Sequence, residues 1–178
     1  MTAPTDQLAA IILAAGKGTR MGGDFPKVVH LVGGRPMICP IVDACFAAGV
    51  SRVIVIVGYK QELVRDALKN YKVEFAVQAE QNGTGHAVLC AKEALGQTCT
   101  DTLILAGDGP LIRASTLTTL IAKHRSSGAA ATLATSIIDD PTGYGRIVRD
   151  ASGAFREIVE HKNASPDQRA IREVNPSY

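Results

Sequence analysis

The stretch Leu13-Ala14-Ala15-Gly16-Lys17-Gly18-Thr19-Arg20-Met21, with Pro26-Lys27 close behind it, decides how this chain reads. It follows an apolar run, Leu8 to Leu13, that predicts a buried strand. A strand opening into a glycine-rich, basic loop lets backbone N–H groups approach phosphate oxygens closely. Gly16 and Gly18 carry no side chain to block that approach, and Lys17, Arg20 and Lys27 supply positive charge for a polyphosphate. The expected ligand is a nucleoside triphosphate. Two common phosphate loops do not fit. Gly16-Lys17-Gly18-Thr19 breaks the Walker pattern, and Gly16, Gly18 and Gly22 lack the spacing of the dinucleotide fingerprint. An ordinary solvated connection would also use glycine and lysine, so the loop takes its meaning from what surrounds it.

Working outward, strands are expected at Ala9–Leu13, Arg52–Val57, Val73–Val77, Leu103–Leu105 and Ala130–Ile137. Helices are expected at Met37–Ala48, Gln61–Lys69, Gly85–Leu95 and Ser115–Ser126. Val53 to Val57 is apolar on both faces, as a strand covered by helices on each side must be. Such alternation predicts an α/β fold with a mostly parallel sheet, whose ligands bind at the carboxyl ends of the strands. After Ile138 the character changes. Asp139-Asp140-Pro141-Thr142-Gly143 predicts a turn, and Arg146–Arg149 with Phe155–Glu160 predicts a hairpin around Asp150-Ala151-Ser152-Gly153.

Size and composition narrow the classes. The 178 residues suit one domain with a real core, and 46% hydrophobic with 20% charged residues is a globular composition. A net charge of +2 gives no general affinity for nucleic acid or membrane. No apolar run reaches the ~20 residues of a membrane span, and Met1 to Gln7 lacks the features of a secretion signal. The 4 cysteines (Cys39, Cys45, Cys90, Cys99) show no Cys-x-x-Cys spacing and are expected as reduced residues of a cytoplasmic protein. The absence of Trp argues against base-stacking platforms.

Three further constellations carry chemistry. Asp108 ends the apolar strand Leu103 to Ala106 beside Gly107 and Gly109, where a carboxylate can hold Mg²⁺ against a triphosphate or simply cap a turn before Pro110. Gln78 to His86 joins a strand to a helix, with Thr84 expected as the N-cap. A glutamine there has the donor and acceptor to read a uracil edge, although a polar surface loop has the same composition. His86 is expected to pack or cap rather than to catalyse. Glu160-His161-Lys162 ends the hairpin, where a carboxylate can accept hydrogen bonds from sugar hydroxyls or merely face solvent.

In order along the chain stand the opening motif, Pro26-Lys27-Val28-Val29-His30, Gln81-Asn82-Gly83-Thr84-Gly85-His86-Ala87, Gly107-Asp108-Gly109-Pro110-Leu111, Gly143-Tyr144-Gly145-Arg146-Ile147-Val148 and Ile158-Val159-Glu160-His161-Lys162. Together they resemble the uridyltransferase domain of the bacterial bifunctional N-acetylglucosamine-1-phosphate uridyltransferase / glucosamine-1-phosphate acetyltransferase family. The resemblance implies a Rossmann-like sheet of the nucleotide-diphospho-sugar transferase type with helices on both faces and a small antiparallel hairpin region. It implies that UTP and N-acetylglucosamine 1-phosphate become UDP-N-acetylglucosamine and pyrophosphate, for cell-wall synthesis. By similarity, Arg20 and Lys27 stabilise the transferring phosphate and the departing pyrophosphate. Leu13, Ala14, Ala15 and Gly16 contact the uridine and phosphates, and Gln78, Gly83 and Thr84 recognise the uracil. Asp108 coordinates Mg²⁺, while Ala106, Gly107, Gly145, Glu160 and Asn175 border the sugar and ribose.

The resemblance also implies one incomplete domain over residues 1–178, with a nucleotide-binding part at 1–138 and a sugar-binding part at 139–178. The second metal ligand would lie beyond Tyr178, and the acetyltransferase β-helix would be absent. Full-length relatives are expected as trimers, built largely by that missing domain, which leaves a monomer open to this piece. Gly109 after Asp108, and Pro176-Ser177 after Asn175, depart from the usual pattern. Two other readings remain: another sugar-1-phosphate or cofactor nucleotidyltransferase, such as a molybdenum-cofactor guanylyltransferase, or an inactive nucleotide-binding module.

Overall fold

The computed structural model describes residues 8–18, 24–96 and 99–176. They fall into two compact units, Met1–Ala122 and Lys123–Tyr178. Arg20 lies outside the described residues.

In the first unit the strands are β1 (Leu8–Leu13), the short pair β2 (Leu31–Val32) and β3 (Arg35–Pro36), β4 (Arg52–Val57), β5 (Glu74–Val77) and β6 (Asp101–Ala106). The helices are α1 (Ile38–Ala47), α2 (Gln61–Ala67), α3 (Thr84–Cys90), α4 (Lys92–Leu95) and α5 (Ala114–Ser127), the last of which runs on past the boundary between the units. Four strands form a parallel sheet in the order β5-β4-β1-β6, with Ile11 paired to Ile54 on one side and to Ile104 on the other. Alternating side chains of β1 point to opposite faces. Ala10 and Ile12 pack with Ile38, Ile41 and Val42 of α1, Val64 of α2 and Leu117 of α5. Ile11, with Ile54 and Ile56, packs with Ala87 of α3 and Ala91. The sheet is therefore covered on both faces, which is why Val53 to Val57 is fully buried and uniformly apolar.

Two expectations are corrected here. The helix expected over Gly85–Leu95 is two helices, because the ladder tightens at buried Ala91, whose N–H donates to the Val88 carbonyl three residues back. The strand expected over Ala130–Ile137 shrinks to β7 (Ser136–Ile137), which belongs to an antiparallel sheet of the second unit. Ala129 to Ala131 are exposed, and small side chains on an unburied segment bring little to a sheet.

The second unit holds β7, β8 (Gly145–Arg149), β9 (Phe155–Val159), the short helix α6 (Pro166–Arg169) and β10 (Glu173–Asn175), with the strands in the order β7-β10-β8-β9. The hairpin β8–β9 turns at the expected residues. Asp150 accepts hydrogen bonds from the N–H groups of Ser152 and Ala154 and from the Ser152 hydroxyl, which hold its carboxyl below the usual carboxylate range. Ser165 caps α6 in a reciprocal box with Gln168.

All four cysteines are free. Burial pushes the Cys45 thiol up to about 12 and raises that of Cys39, while Cys90 and Cys99 are only partly buried. A thiol reagent is expected to label Cys90 and Cys99 in the folded protein and Cys39 and Cys45 only after denaturation. Peptide mapping of the labelled sites checks this, and rapid native labelling of Cys45 would contradict the packing of α1.

Candidate functional site

The sheet order places β1 centrally, with β4 and β5 reached on one side and β6 on the other. The carboxyl end of β1 is thus the point where the strand order reverses, the usual ligand crevice of an open α/β sheet. The glycine-rich loop starts there and is fastened at once. Ala14 N–H donates to the Ile56 carbonyl at 2.9 Å, Gly107 N–H donates to the Leu13 carbonyl at 2.9 Å, and Tyr59 N–H donates to the Ala15 carbonyl at 3.2 Å.

The glycines of this crevice do different jobs. A Cβ at Gly16 would meet nothing within 4 Å, so that residue leaves an open approach. Gly18 has φ +68°, and a Cβ there would sit 2.7 Å from Lys27 Cβ. The loop can pass Lys27 only without a side chain at that point.

Lys27 opens a 3₁₀ turn, Lys27–Val29, anchored by buried Val28. Asp108 stands just past β6. Residues 81 apart in sequence meet here, Lys27 Nζ donating to Asp108 Oδ2 at 2.6 Å, with both side chains 38% exposed. A cation and an anion in contact at a strand end, still open to solvent, are each available to an incoming charged ligand. Among the described residues no group of three His, Cys, Asp or Glu side chains is placed to hold a metal ion. A lone carboxylate nevertheless suits Mg²⁺, which commonly takes one or two carboxylates and completes its shell with phosphate oxygens and water.

Beside the loop is a hollow of about 270 Å³. Of the expected residues it is lined by Leu13, Ala15, Gly16, Gln78, Gly83 and Thr84. Gln81 and Ala87, not singled out from sequence as site residues, line it too. Ala14, Ala106 and Gly107 do not line it: Ala14 is buried, and Ala106 and Gly107 lie at the end of β6, where Ala106 pairs with Leu13. Gln78 is 4% exposed; its Nε2 donates to the Gly83 carbonyl at 3.1 Å and lies 3.1 Å from His86 Nδ1. His86 thus supports Gln78, in keeping with a packing role. Gln81 Nε2 donates to the Ala15 carbonyl at 2.8 Å, tying this loop to the glycine-rich one. The N-cap of α3 is Gly83, at φ 93°, and Thr84 is the first helical residue, which corrects the expected cap: the left-handed angle suits glycine and not threonine.

Gln78→Leu is expected to cost about 0.5–1.5 kcal/mol, since it removes the hydrogen bonds that the buried amide makes to the Gly83 carbonyl and to His86. Thermal melting checks this, and an unchanged melting temperature would remove Gln78 as a support of the loop.

A cluster with no local signature lies on the same side of the first unit. The carboxylate of Asp24 accepts hydrogen bonds from Lys60 Nζ and the Tyr59 hydroxyl, and Lys17 Nζ stands 5.3 Å from the centre of the Tyr59 ring. The hydrogen bond from Lys60 is the main reason Asp24 stays below the usual carboxylate range, and Asp24 in turn raises Lys60 and Tyr59. Lys60 holds φ 45°, an uncommon left-handed conformation for a side-chain-bearing residue. Nothing in the local pattern announces this cluster, because its members are 35 and 36 residues apart.

In the second unit, three more expected residues come together. Gly145 pairs with Asn175 across β8 and β10, and a Cβ at Gly145 would lie 3.7 Å from Glu160 Oε1. The same Cβ would meet Ile158 Cγ2 at 2.8 Å, so a side chain here would have to displace Ile158.

Comparison with known proteins fits this geometry. The chain is 49% identical over 171 residues to the bifunctional protein GlmU of Pelobacter propionicus, and 51% identical over 168 residues to that of Pelotomaculum thermopropionicum. These alignments cover 96% and 94% of this chain but 37% and 36% of the relatives, so the chain spans little more than a third of their length. A crystal structure of UDP-glucose pyrophosphorylase complexed with UDP-glucose superposes with a TM-score of 0.76 at 16% identity, covering 94% of this chain and 73% of that one. HddC from Yersinia pseudotuberculosis complexed with GMP-PN superposes with a TM-score of 0.65 at 22% identity, covering 85% and 68%. These two likenesses establish the fold. The family description that matches residues 10–173, almost the whole described chain, is the MobA-like NTP transferase domain. With a glycine-rich loop leaving the strand at the sheet's reversal point and a lysine–aspartate pair at the end of the neighbouring strand, this chain belongs to the MobA-like NTP transferase family.

Proposed function

We propose that this chain is the nucleotidyl-transferring part of an N-acetylglucosamine-1-phosphate uridyltransferase, joining UTP to N-acetylglucosamine 1-phosphate with release of pyrophosphate in the cytoplasm. The observation that carries the reading is the contact of Lys27 with Asp108 just past the end of β6, in a chain about half identical to GlmU proteins. The oxygen of the sugar phosphate attacks the α-phosphorus of UTP. A new P–O bond forms, the bond to the β-phosphate oxygen breaks, and pyrophosphate leaves with the electron pair. The attacking oxygen is already anionic, so no protein nucleophile or general base is needed, and catalysis reduces to positioning and charge stabilisation.

The residues divide that work. Backbone groups from Leu13 to Gly16 receive the nucleotide, and Gln78, Gly83 and Thr84 face the base. Lys27 and Arg20 stabilise the charge that moves onto pyrophosphate. Asp108 holds a Mg²⁺ ion, which supplies charge neutralisation to the phosphates. Residues 1–138 take the nucleotide, and Gly145, Glu160 and Asn175 within 139–178 take the sugar. In the Michaelis complex Lys27 exchanges Asp108 for phosphate.

Calorimetry with UTP and with GTP, each with Mg²⁺, tests the base, and pyrophosphate release with N-acetylglucosamine 1-phosphate tests the reaction. Tighter binding of UTP supports the reading. Equal or tighter binding of GTP would favour a guanylyltransferase, a possibility kept open by the MobA-like family and by the structural neighbour crystallised with GMP-PN. Binding of UTP without turnover would make this piece a nucleotide-binding module.

A further inference from the structure

Arg146 is the largest fully buried side chain of the described residues, at 1% exposure. Its Nη1 donates to the Tyr144 carbonyl. Its Nη2 lies 3.1 Å from His161 Nδ1 and 3.5 Å from the Arg169 carbonyl. Its Nε is buried with no partner. Among the described residues no carboxylate comes within ion-pair distance of it. Asp140 lies near enough to feel its charge, and is held below the usual range first by hydrogen bonds from Thr142 and less by the guanidinium. Burying a cation with no anion and an unmet donor is unfavourable, and an apolar side chain would fill the space at lower cost. Fold stability therefore does not account for this residue.

Its acceptors point to another role. Tyr144 immediately precedes Gly145, and His161 immediately follows Glu160. The guanidinium thus clamps the two segments that bring Glu160 over Gly145, while β8 pairs Arg146 with Val159 and Gly145 with Asn175. The donated hydrogen bond requires Nδ1 of His161 to be the acceptor, which fixes the ring's orientation.

We propose that Arg146 is a positioning residue for the sugar: through the Tyr144 carbonyl and the His161 ring it sets Gly145 and Glu160 where the carboxylate can accept sugar hydroxyls. The inference rests on the functional reading above.

The test compares UDP with UDP-N-acetylglucosamine by calorimetry on the full chain, the ratio of affinities isolating the sugar. Arg146→Met and His161→Phe are expected to reduce the sugar's contribution by about tenfold while moving UDP affinity by less than about threefold. His161→Gln, which still offers an acceptor to Nη2, is expected to keep most of that contribution. A residue that merely supports the fold would move both ligands equally, and that result, or an unchanged ratio in both variants, overturns the proposal. If Arg146→Met fails to fold, His161→Phe, which keeps the guanidinium, decides. A wild-type chain that binds UDP-N-acetylglucosamine no better than UDP overturns the sugar assignment itself and this proposal with it. That outcome is seen before any variant is made.

Discussion

Asp108→Asn is expected to lower pyrophosphate release by about 10²–10³-fold and to remove its dependence on Mg²⁺, while leaving the melting temperature nearly unchanged. The two halves of this expectation come from the same contact. The Lys27–Asp108 pair is partly exposed, at 38% for each side chain, and an ion pair so placed contributes no more than about 1 kcal/mol to stability. The same carboxylate is the one acidic group at the end of β6, beside the loop proposed to hold the triphosphate. Asparagine matches its shape but brings no charge to a hard cation. Turnover measured across a Mg²⁺ titration, with a thermal melt of each protein, separates the roles. A large fall in melting temperature would make the pair structural. An unaltered Mg²⁺ titration would take Asp108 out of the site. Lys27→Met is expected to impair turnover as well, and because the two side chains touch, the double variant should lose less than the product of the single losses.

Gly107→Ala is expected to give the largest effect on stability, about 2–3 kcal/mol, or a drop in melting temperature of roughly 5–10 °C. A Cβ at Gly107 would lie 2.6 Å from the Leu13 carbonyl oxygen and 3.0 Å from Val28 Cγ1. The first of these is backbone, and the same oxygen accepts the Gly107 N–H, so neither strand end can give way without parting β1 from β6. Val28 in turn anchors the turn that presents Lys27. The methyl group therefore reaches the site through packing, and nucleotide affinity falls together with stability. Gly16→Ala supplies the contrast. Its Cβ meets no atom within 4 Å, so stability should stay within about 0.5 kcal/mol, and any loss of nucleotide affinity reports the ligand's need for that space. Thermal melts and calorimetry on the two variants check both statements. Equal stability of Gly107→Ala and the wild type would show that the end of β6 is more yielding than its packing implies.

Much of the fold was legible because its signals are local. An apolar run such as Val53 to Val57 reads as a covered strand wherever it stands, and the strand Arg52–Val57 was found with the expected bounds. Asp150-Ala151-Ser152-Gly153 reads as a turn because the aspartate bonds its own following backbone. Where the signal was local but incomplete, the expectation slipped. Ala130–Ile137 alternates like a strand, yet only Ser136–Ile137 finds a pairing partner, in β10. Gly85–Leu95 has helical composition throughout, yet the chain tightens at Ala91, where the buried face meets the sheet. Thr84 looked like a cap by residue type, and Gly83 took that place by backbone angle.

The candidate site divides in the same way. Leu13, Ala15, Gly16, Gln78, Gly83 and Thr84 were marked by motif and do share a hollow. Gln81, which ties Ala15 to the facing loop across 66 residues of chain, carried no separate mark. The Asp24–Tyr59–Lys60 cluster was invisible for the same reason.

The amino-acid sequence by itself determined the alternation of strands and helices, the glycine-rich basic loop after the first strand, and the family. Periodicity, backbone freedom and residue chemistry act over a few neighbours and need no knowledge of the rest of the chain. Only the tertiary structure decided that β1 sits where the strand order reverses, that Lys27 reaches Asp108, and that the guanidinium of Arg146 is buried without a carboxylate. These depend on sheet order and register, which bring distant segments within a few ångströms and are set by the packing of the whole core.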